Sequence, residues 1–210
     1  MINGLSPDLV AFTGDLITMG PDEMDCCFVP LSSLQAKDGV VSVLGNHDYC
    51  IYSATDSTTR AEWQERLIET ERKMGWDLLI DENRIIRRGC DSIAVIGVQN
   101  TSPSRHFPSK GDLDKASEGT EGSFRILLSH DPMHWDDEII GQDYPLTLSG
   151  HTHGMQLSLL GWSPSSLIFD RNKDLYTEGD QHLYVNIGLG ETIFPARIGA
   201  RPEITLITLT

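Results

Sequence analysis

Four short polar motifs in this sequence each contain side chains that could bind a metal ion. They are Gly14-Asp15, Gly45-Asn46-His47-Asp48, Ser129-His130-Asp131-Pro132 and Gly150-His151-Thr152-His153-Gly154. Their carboxylate, amide and imidazole groups suit borderline divalent metals such as manganese, iron or zinc better than calcium or magnesium. A structural zinc site would usually recruit cysteine, so the motifs argue against one. A lone histidine is more often structural, but four such motifs in one chain make that interpretation improbable for the set.

Each motif follows a short apolar run of strand length. The runs cover residues 9–12, 40–44, 125–128 and 145–148, and a fifth run covers 183–187. Near-continuous apolar runs are typical of strands that are covered on both faces. Ligands of open α/β sheets bind at the carboxyl ends of the strands. We therefore expect the four motifs to converge in space although they are distant in sequence.

The other elements complete an α/β sandwich. The clearest helix covers residues 58–74 and ends at Gly75, and further strands are predicted for DLLI, RIIR and SIAVIGV. Pro30 is expected to break or kink a helix between the first two strands, and the alternating segment 202–210 indicates a last strand. The polar stretch 99–123 is either a loop that covers a site or a mobile surface excursion.

Composition limits the functions that the chain can have. Sixteen basic and 31 acidic residues give a net charge of −15, which argues against broad electrostatic binding of nucleic acid or of an anionic membrane. A phosphorylated substrate stays compatible with that charge, because a bound metal inverts the local field. Four cysteines without a C-x-x-C pair indicate free thiols in a reducing compartment.

Signatures of four other protein classes are absent from the sequence. The segment after His151 has no Asp in the place that a metallo-β-lactamase-like H-x-H-x-D-H motif requires, and no G-x-S-x-G motif of a serine hydrolase occurs. No Walker loop and no G-x-G-x-x-G motif occurs either.

The four motifs, in this order, resemble those of the calcineurin-like metallophosphoesterases. The segments PDLVAFTGD, VVSVLGNHDY and SGHTHGMQ are similar to the bacterial YkuE-like branch. The resemblance implies a four-layer α/β/β/α sandwich of mixed sheets, formed by a single domain over residues 1–210. It also implies hydrolysis of a phosphomonoester, phosphodiester or pyrophosphate bond by a metal-activated water. The similarity to this branch implies cell-envelope or nucleotide-sugar lipids as candidate substrates, including UDP-diacylglucosamine.

The resemblance also implies a centre of two divalent metals. Asp15 would bridge both ions, Asn46, His130 and His151 would complete one of them, and His153 would bind the other.

Two residues of the second motif have implied catalytic roles. His47 would not bind a metal but would stand beside the phosphate, where it protonates the leaving oxygen or stabilises charge. Asp48 would orient His47. Gln156, which follows the last motif, is expected to border the site, and His134 is a weaker candidate for substrate contact.

One departure from the family pattern is serious. The family opens with a strand that ends in D-x-H, and none of the fourteen residues before Asp15 supplies that motif. We therefore expect an N-terminally truncated domain that lacks the first β–α unit, with one tightly held metal and a second that is weak or absent. The exposed edge would favour a homodimer. The alternative function is a catalytically silent metal-binding or interaction domain. The expected location is cytoplasmic or membrane-peripheral.

Overall fold

The computed structural model describes residues 1–53 and 55–210. Nine strands and three α-helices follow one another along these described residues. The strands are β1 (Val10–Phe12), β2 (Val40–Ser42), β3 (Asp77–Leu78), β4 (Glu82–Arg88), β5 (Asp91–Gly97), β6 (Phe124–Leu128), β7 (Leu146–Ser149), β8 (Asp174–Glu178) and β9 (Gln181–Val185). The helices are α1 (Met24–Ser32), α2 (Ser57–Lys73) and α3 (Leu113–Ala116).

The strands form two sheets. A three-stranded parallel sheet has the order β1-β2-β3, and a six-stranded mixed sheet has the order β4-β5-β6-β7-β9-β8. In the larger sheet β5, β6, β7 and β9 run parallel, while β4 and β8 pair antiparallel at its two edges. The parallel strands of both sheets have the positions that the apolar runs predicted.

Alternating side chains of the central strands enter different layers of the core. Val41 of β2 and Ile126 of β6 belong to a buried cluster between the two sheets. Val40 packs on the outer side of the small sheet with α2, through Leu67. Leu127 packs on the outer side of the large sheet, in a cluster that α3 joins. Burial on both faces explains why these runs are almost continuously apolar, and the layers run helix, sheet, sheet, helix, as expected.

Two predicted elements differ in the structure. Helix α1 continues through Pro30 and ends at Ser32. A proline this close to a helix end removes only one of the last intrahelical hydrogen bonds, so the helix ends after it and is not broken at it. Residues 201–210 form no strand, because a single backbone hydrogen bond, from the Glu203 N–H to the Gly188 carbonyl at 3.1 Å, joins them to the rest of the described chain and does not extend into a ladder.

Helix α2 begins where the sequence predicted it, within one residue. The Asp56 side chain caps it by accepting the backbone N–H groups of Thr58 and Thr59. Among the helices in the described part of the chain, none is long and apolar enough to cross a membrane.

Candidate metal centre

The structure brings four predicted ligands together at the carboxyl ends of the strands. Asp15 follows β1, Asn46 follows β2, His130 follows β6 and His151 follows β7. His130 Nε2 lies 3.0 Å from Asp15 Oδ2, 3.2 Å from Asn46 Oδ1 and 3.2 Å from His151 Nδ1. Asn46 Oδ1 lies 2.7 Å from His151 Nδ1. Four atoms that could bind a metal therefore surround one small volume.

The hydrogen bonds around this volume turn acceptor atoms toward it. His130 Nδ1 lies 2.6 Å from the Thr13 carbonyl, to which its N–H donates, so that Nε2 carries the lone pair of the neutral ring. The Asn46 amide nitrogen donates to the Tyr52 hydroxyl, which leaves its carbonyl oxygen toward the histidines. Asp15 Oδ2 is buried, and a neutral His130, whose Nε2 lies 3.0 Å away, gives it no hydrogen-bond donor. A cluster of acceptors with an orphaned carboxylate oxygen fits a divalent cation.

The charges of this cluster are strongly coupled to one another. Burial alone would raise the pKa of Asp15, but His130 and its neighbours outweigh it and hold that pKa well below its usual value. Burial opposes protonation of His130, whereas Asp15 raises the pKa of His130 to about 9. Burial and the charge of His130 lower the pKa of His151 to about 4. The pocket is therefore arranged for one positive charge beside Asp15, which a metal ion or a proton on His130 can supply.

Two glycines are required for the ligands to approach one another. A Cβ atom on Gly14, which has a φ of +95°, would lie 2.6 Å from the Gly45 nitrogen and 2.7 Å from His130 Nδ1. A Cβ atom on Gly45 would lie 2.7 Å from His130 Cε1. The glycines of the motifs therefore serve close packing of backbone against ligand.

Asp48 lies beneath the centre and holds its backbone in place. Its fully buried carboxylate accepts the N–H groups of Asp15, Leu16 and Gly45, each at 2.8 Å. Burial and the charge of Asp15 raise the pKa of Asp48 to about 7, against the effect of these donors. The predicted contact with His47 is not made by this carboxylate, because its oxygens face the backbone groups. Asp48 is a positioning residue for Asp15.

His47 is oriented by a backbone carbonyl instead. Its Nδ1 lies 2.7 Å from the Thr18 carbonyl oxygen, which accepts the Nδ1–H, and its ring lies 4.4 Å from the ring of Tyr52. The His47 backbone N–H donates to Asp15 Oδ1 at 2.9 Å. Nε2 has no hydrogen-bond partner in the part of the chain that the structure describes. It is therefore free to meet a substrate beside the metal ligands, and the catalytic role of His47 stays a prediction.

His153 stands apart from the four converging atoms. In the described chain, the group of carboxylate and imidazole ligand atoms within 4.8 Å of one another comprises Asp15, His130 and His151. His153 Nδ1 lies 3.3 Å from the Arg197 guanidinium. Burial lowers the pKa of His153 to about 4, with Arg197 acting in the same direction. The metal role predicted for His153 stays a prediction.

Several residues at the site have no motif that could have identified them. Arg197 donates to the carbonyl oxygens of Ile187 and Gly190, at 2.8 and 2.7 Å. Phe107 packs edge-on against His151, with ring centroids 4.6 Å apart. Because Phe107 belongs to the segment 99–123, the structure favours the interpretation of that segment as a loop that covers the site.

His134 has a structural environment. It is buried, its Nδ1 lies 2.8 Å from the Ser129 hydroxyl, and its Nε2 lies 2.7 Å from Glu138. Both ring nitrogens have partners, so His134 fixes the segment that follows His130 and does not meet a substrate.

Comparison with known proteins agrees with this geometry. The model of the family "Calcineurin-like phosphoesterase" matches residues 1–155. The metallophosphoesterase YkuE of Bacillus subtilis is 34% identical over 99% of this chain and 70% of its own length. YkoQ of Bacillus subtilis, also a metallophosphoesterase, is 27% identical over 94% of this chain and 71% of its own length. LpxG of Chlamydia trachomatis, a UDP-2,3-diacylglucosamine pyrophosphatase, is 26% identical over 90% of this chain and 70% of its own length.

The fold, the site and these similarities define a metal-dependent hydrolase of phosphoester bonds. The chain belongs to the calcineurin-like phosphoesterase family. The similarity to YkuE and YkoQ also confirms the predicted branch of that family.

Proposed function

We propose that this chain hydrolyses a phosphodiester or pyrophosphate bond in a lipid-linked substrate, with UDP-diacylglucosamine as the first candidate. The observation that carries the proposal is the convergence of four acceptor atoms beside His47, an imidazole with one free nitrogen. The similarity to LpxG supports the choice of substrate class.

Different residues of the chain would bind the metal ion and transfer a proton. Asp15, Asn46, His130 and His151 would hold the metal, which when bound polarises phosphoryl oxygens and acidifies a water molecule. The carboxylate of Asp15 is kept ionised by the histidines around it. Asp131 lies behind His151, with an oxygen 4.0 Å from Nε2, and favours the orientation in which Nδ1 faces the other ligands.

His47 acts on the leaving oxygen. Its Nδ1–H is held by the Thr18 carbonyl, so a proton on Nε2 points away from that anchor and is available to the substrate. When protonated, His47 donates this proton to the departing oxygen as the bond to phosphorus breaks, or stabilises the charge that develops there. Phe107 and Phe169 contact the ring of His151 and keep water away from one side of the centre.

A second candidate function is a silent metal-binding domain, and the position of His153 outside the cluster of ligand atoms favours it. Metal content and hydrolysis of bis-p-nitrophenyl phosphate, measured on the same manganese-loaded sample, separate the two functions. Bound metal with turnover supports the enzyme, whereas bound metal without turnover on any phosphoester supports the silent domain.

Three matched histidine variants test the division of roles. We expect His47→Ala to keep its metal and to lose turnover about a hundredfold. His151→Ala should lose the metal itself. His182→Ala, at an exposed histidine of β9, should keep both properties. Equal metal loss in the His47 and His151 variants would contradict the assignment. Release of UMP from UDP-2,3-diacylglucosamine then tests the substrate class.

A further inference from the structure

Two neighbouring loops beside the metal centre expose large apolar side chains to water. The first loop follows His153 and the second precedes Arg197. We call the exposed set the apolar rim; it consists of Leu157, Leu159, Leu160, Trp162, Ile193 and Phe194. Leu160 and Ile193, at the tips, are 101% and 98% exposed. Scattered exposed leucines are ordinary on protein surfaces, whereas a contiguous apolar patch marks a binding surface.

The two loops are joined into one surface. The Gln156 amide nitrogen donates to the carbonyl oxygens of Phe194 and Ala196, at 2.5 and 2.9 Å, and its amide oxygen accepts the Thr192 N–H. Ser158 N–H donates to the Ile198 carbonyl at 2.8 Å. Gln156 is itself buried. The rim therefore has a fixed shape, and Gln156 borders the site by tying these loops together.

The residues at both tips are unfavourable in two ways: their backbone conformation is strained, and their apolar side chains are exposed to water. Leu160 has a φ of +52° and Ile193 a φ of +61°, in the left-handed region that favours glycine and asparagine. A β-branched residue is a clear outlier there. An apolar residue that is both strained and fully exposed brings no benefit to the folded chain in water, so it indicates a role in binding.

Both loops of the rim lead to His153, two residues after the predicted metal ligand His151. The short 3-10 helix His153–Gln156 leads directly into Leu157. In the other loop, Phe194 lies three residues before Arg197, whose guanidinium contacts His153. Whatever covers the rim is therefore held next to the site of hydrolysis.

Most acidic side chains of the protein lie outside the segment 151–210, which forms this face. Residues 155–168 contain no charged side chain. Residues 151–210 carry six acidic and four basic side chains, whereas residues 1–150 carry twenty-five acidic and twelve basic ones. The strong negative charge that opposes approach to an anionic surface thus belongs mainly to the rest of the chain. The rim itself carries no charged side chain, as suits an uncharged, apolar medium.

We propose that the apolar rim inserts into the surface of a lipid bilayer and holds the metal centre against it. Two tips that protrude with full exposure need no matching groove in a fluid bilayer, whereas a protein partner would have to supply one. Trp162, with an apolar body and a polar N–H, suits the interfacial region. The idea that the bilayer also presents the substrate rests on the proposed function. The binding of the rim to the bilayer does not depend on that function.

Vesicle flotation of the full chain tests the insertion. We expect the wild type to float with phosphatidylcholine vesicles. The double variant L160N/I193N should bind at least tenfold more weakly, because it removes both apolar tips. Asparagine tolerates a positive φ better than leucine or isoleucine, so this variant should fold normally. V29N is the matched control, since Val29 is 73% exposed on α1, away from the rim, and it should float like the wild type.

Fluorescence supplies a second readout at the same surface. Trp162 is the most exposed of the four tryptophans. Its emission should shift to shorter wavelength with vesicles and be quenched by brominated acyl chains, and both effects should disappear in W162F. Added phosphatidylglycerol should not strengthen binding, because insertion and not charge attraction drives it.

Three results would overturn the proposal: a wild type that does not float, equal binding by L160N/I193N, or equal loss in V29N. Self-association of the wild type that L160N/I193N abolishes, without flotation, would assign the rim to a second copy of the chain. Hydrolysis of soluble bis-p-nitrophenyl phosphate separates this proposal from the proposed function. Hydrolysis without flotation refutes only the insertion, and flotation without hydrolysis refutes only the enzyme.

Discussion

Replacing Asp48 with asparagine should destabilise the protein and weaken metal binding at the same time. One carboxylate oxygen accepts the N–H groups of Asp15 and Gly45, and the other accepts that of Leu16, with Ile17 at 3.4 Å. An amide has one acceptor oxygen and one donor nitrogen. In either orientation of the new amide, the nitrogen would therefore face one of these two pairs of N–H groups and could accept neither. The backbone that presents Asp15 to the metal would then shift.

The size of the effect follows from the burial of the carboxylate. A buried N–H without an acceptor costs about 1–3 kcal/mol, and one or two such groups are created. Asp48 also repels Asp15, and relief of that repulsion offsets part of the loss. We therefore expect a decrease of about 2–4 kcal/mol in the free energy of unfolding. Asp56→Asn is the matched control, since Asp56 also accepts two backbone N–H groups but is exposed. Asparagine caps a helix about as well as aspartate, so this change should cost less than about 0.5 kcal/mol.

Urea unfolding of the metal-free proteins at pH 8, followed by circular dichroism, measures both changes without a contribution from the metal. Titration with manganese then gives the affinity, which should fall at least tenfold in Asp48→Asn and stay unchanged in Asp56→Asn. A stability of Asp48→Asn within about 1 kcal/mol of the wild type would refute the argument that buried backbone donors depend on this carboxylate.

Three further predictions concern single side chains. Burial, with a smaller contribution from Asp48, raises the pKa of Glu71 to about 8, so the folded protein holds a proton there that the unfolded chain releases. Stability should therefore fall by up to about 4 kcal/mol as the pH rises from about 4.5 to 8, and urea titrations of Glu71→Gln should show a correspondingly smaller decrease. His134→Ala leaves Ser129 without its partner in a buried cavity and should lower stability by about 2–4 kcal/mol in the same assay. Arg197→Gln removes a fixed positive charge 3.3 Å from His153 Nδ1 and should increase the metal bound per chain at saturating manganese, measured by elemental analysis; unchanged stoichiometry would show that this charge does not limit a second ion.

The sequence predicts those parts of the fold that depend on local patterns. Strands β1, β2, β6 and β7 were visible because each is a short apolar run followed at once by a polar motif. The convergence of Asp15, Asn46, His130 and His151 then followed from the common direction of the strands in a parallel arrangement. Helix α2 was visible because Gly75 marks its end, whereas its Asp56 cap was found in the structure.

The rest of the structure depends on contacts that no local pattern encodes. Strand β8 is exposed along most of its length and has no apolar alternation, so its pairing with β9 has no signal in its own residues. Residues 202–210 show the opposite case: their pattern alternates, but one backbone hydrogen bond, from Glu203 to Gly188, is too few to form a ladder. The contact of Phe107 with His151 and that of Arg197 with His153 join segments far apart in sequence.

The difference between local patterns and long-range contacts also applies to the site: the former identify its chemistry, and the latter shape its choice of substrate. Metal ligands stand at the ends of buried strands, where Gly14, Gly45 and Asp48 fix the backbone, and substitutions there should change stability and metal content together. The side chains of the apolar rim are exposed, so we expect that they can change without loss of the metal. Because the ligands need only a phosphoryl group, we expect the loops around the site to select the rest of the substrate. Exposed apolar side chains beside an acceptor-rich centre therefore favour a substrate with an apolar portion at one end and a phosphate at the other.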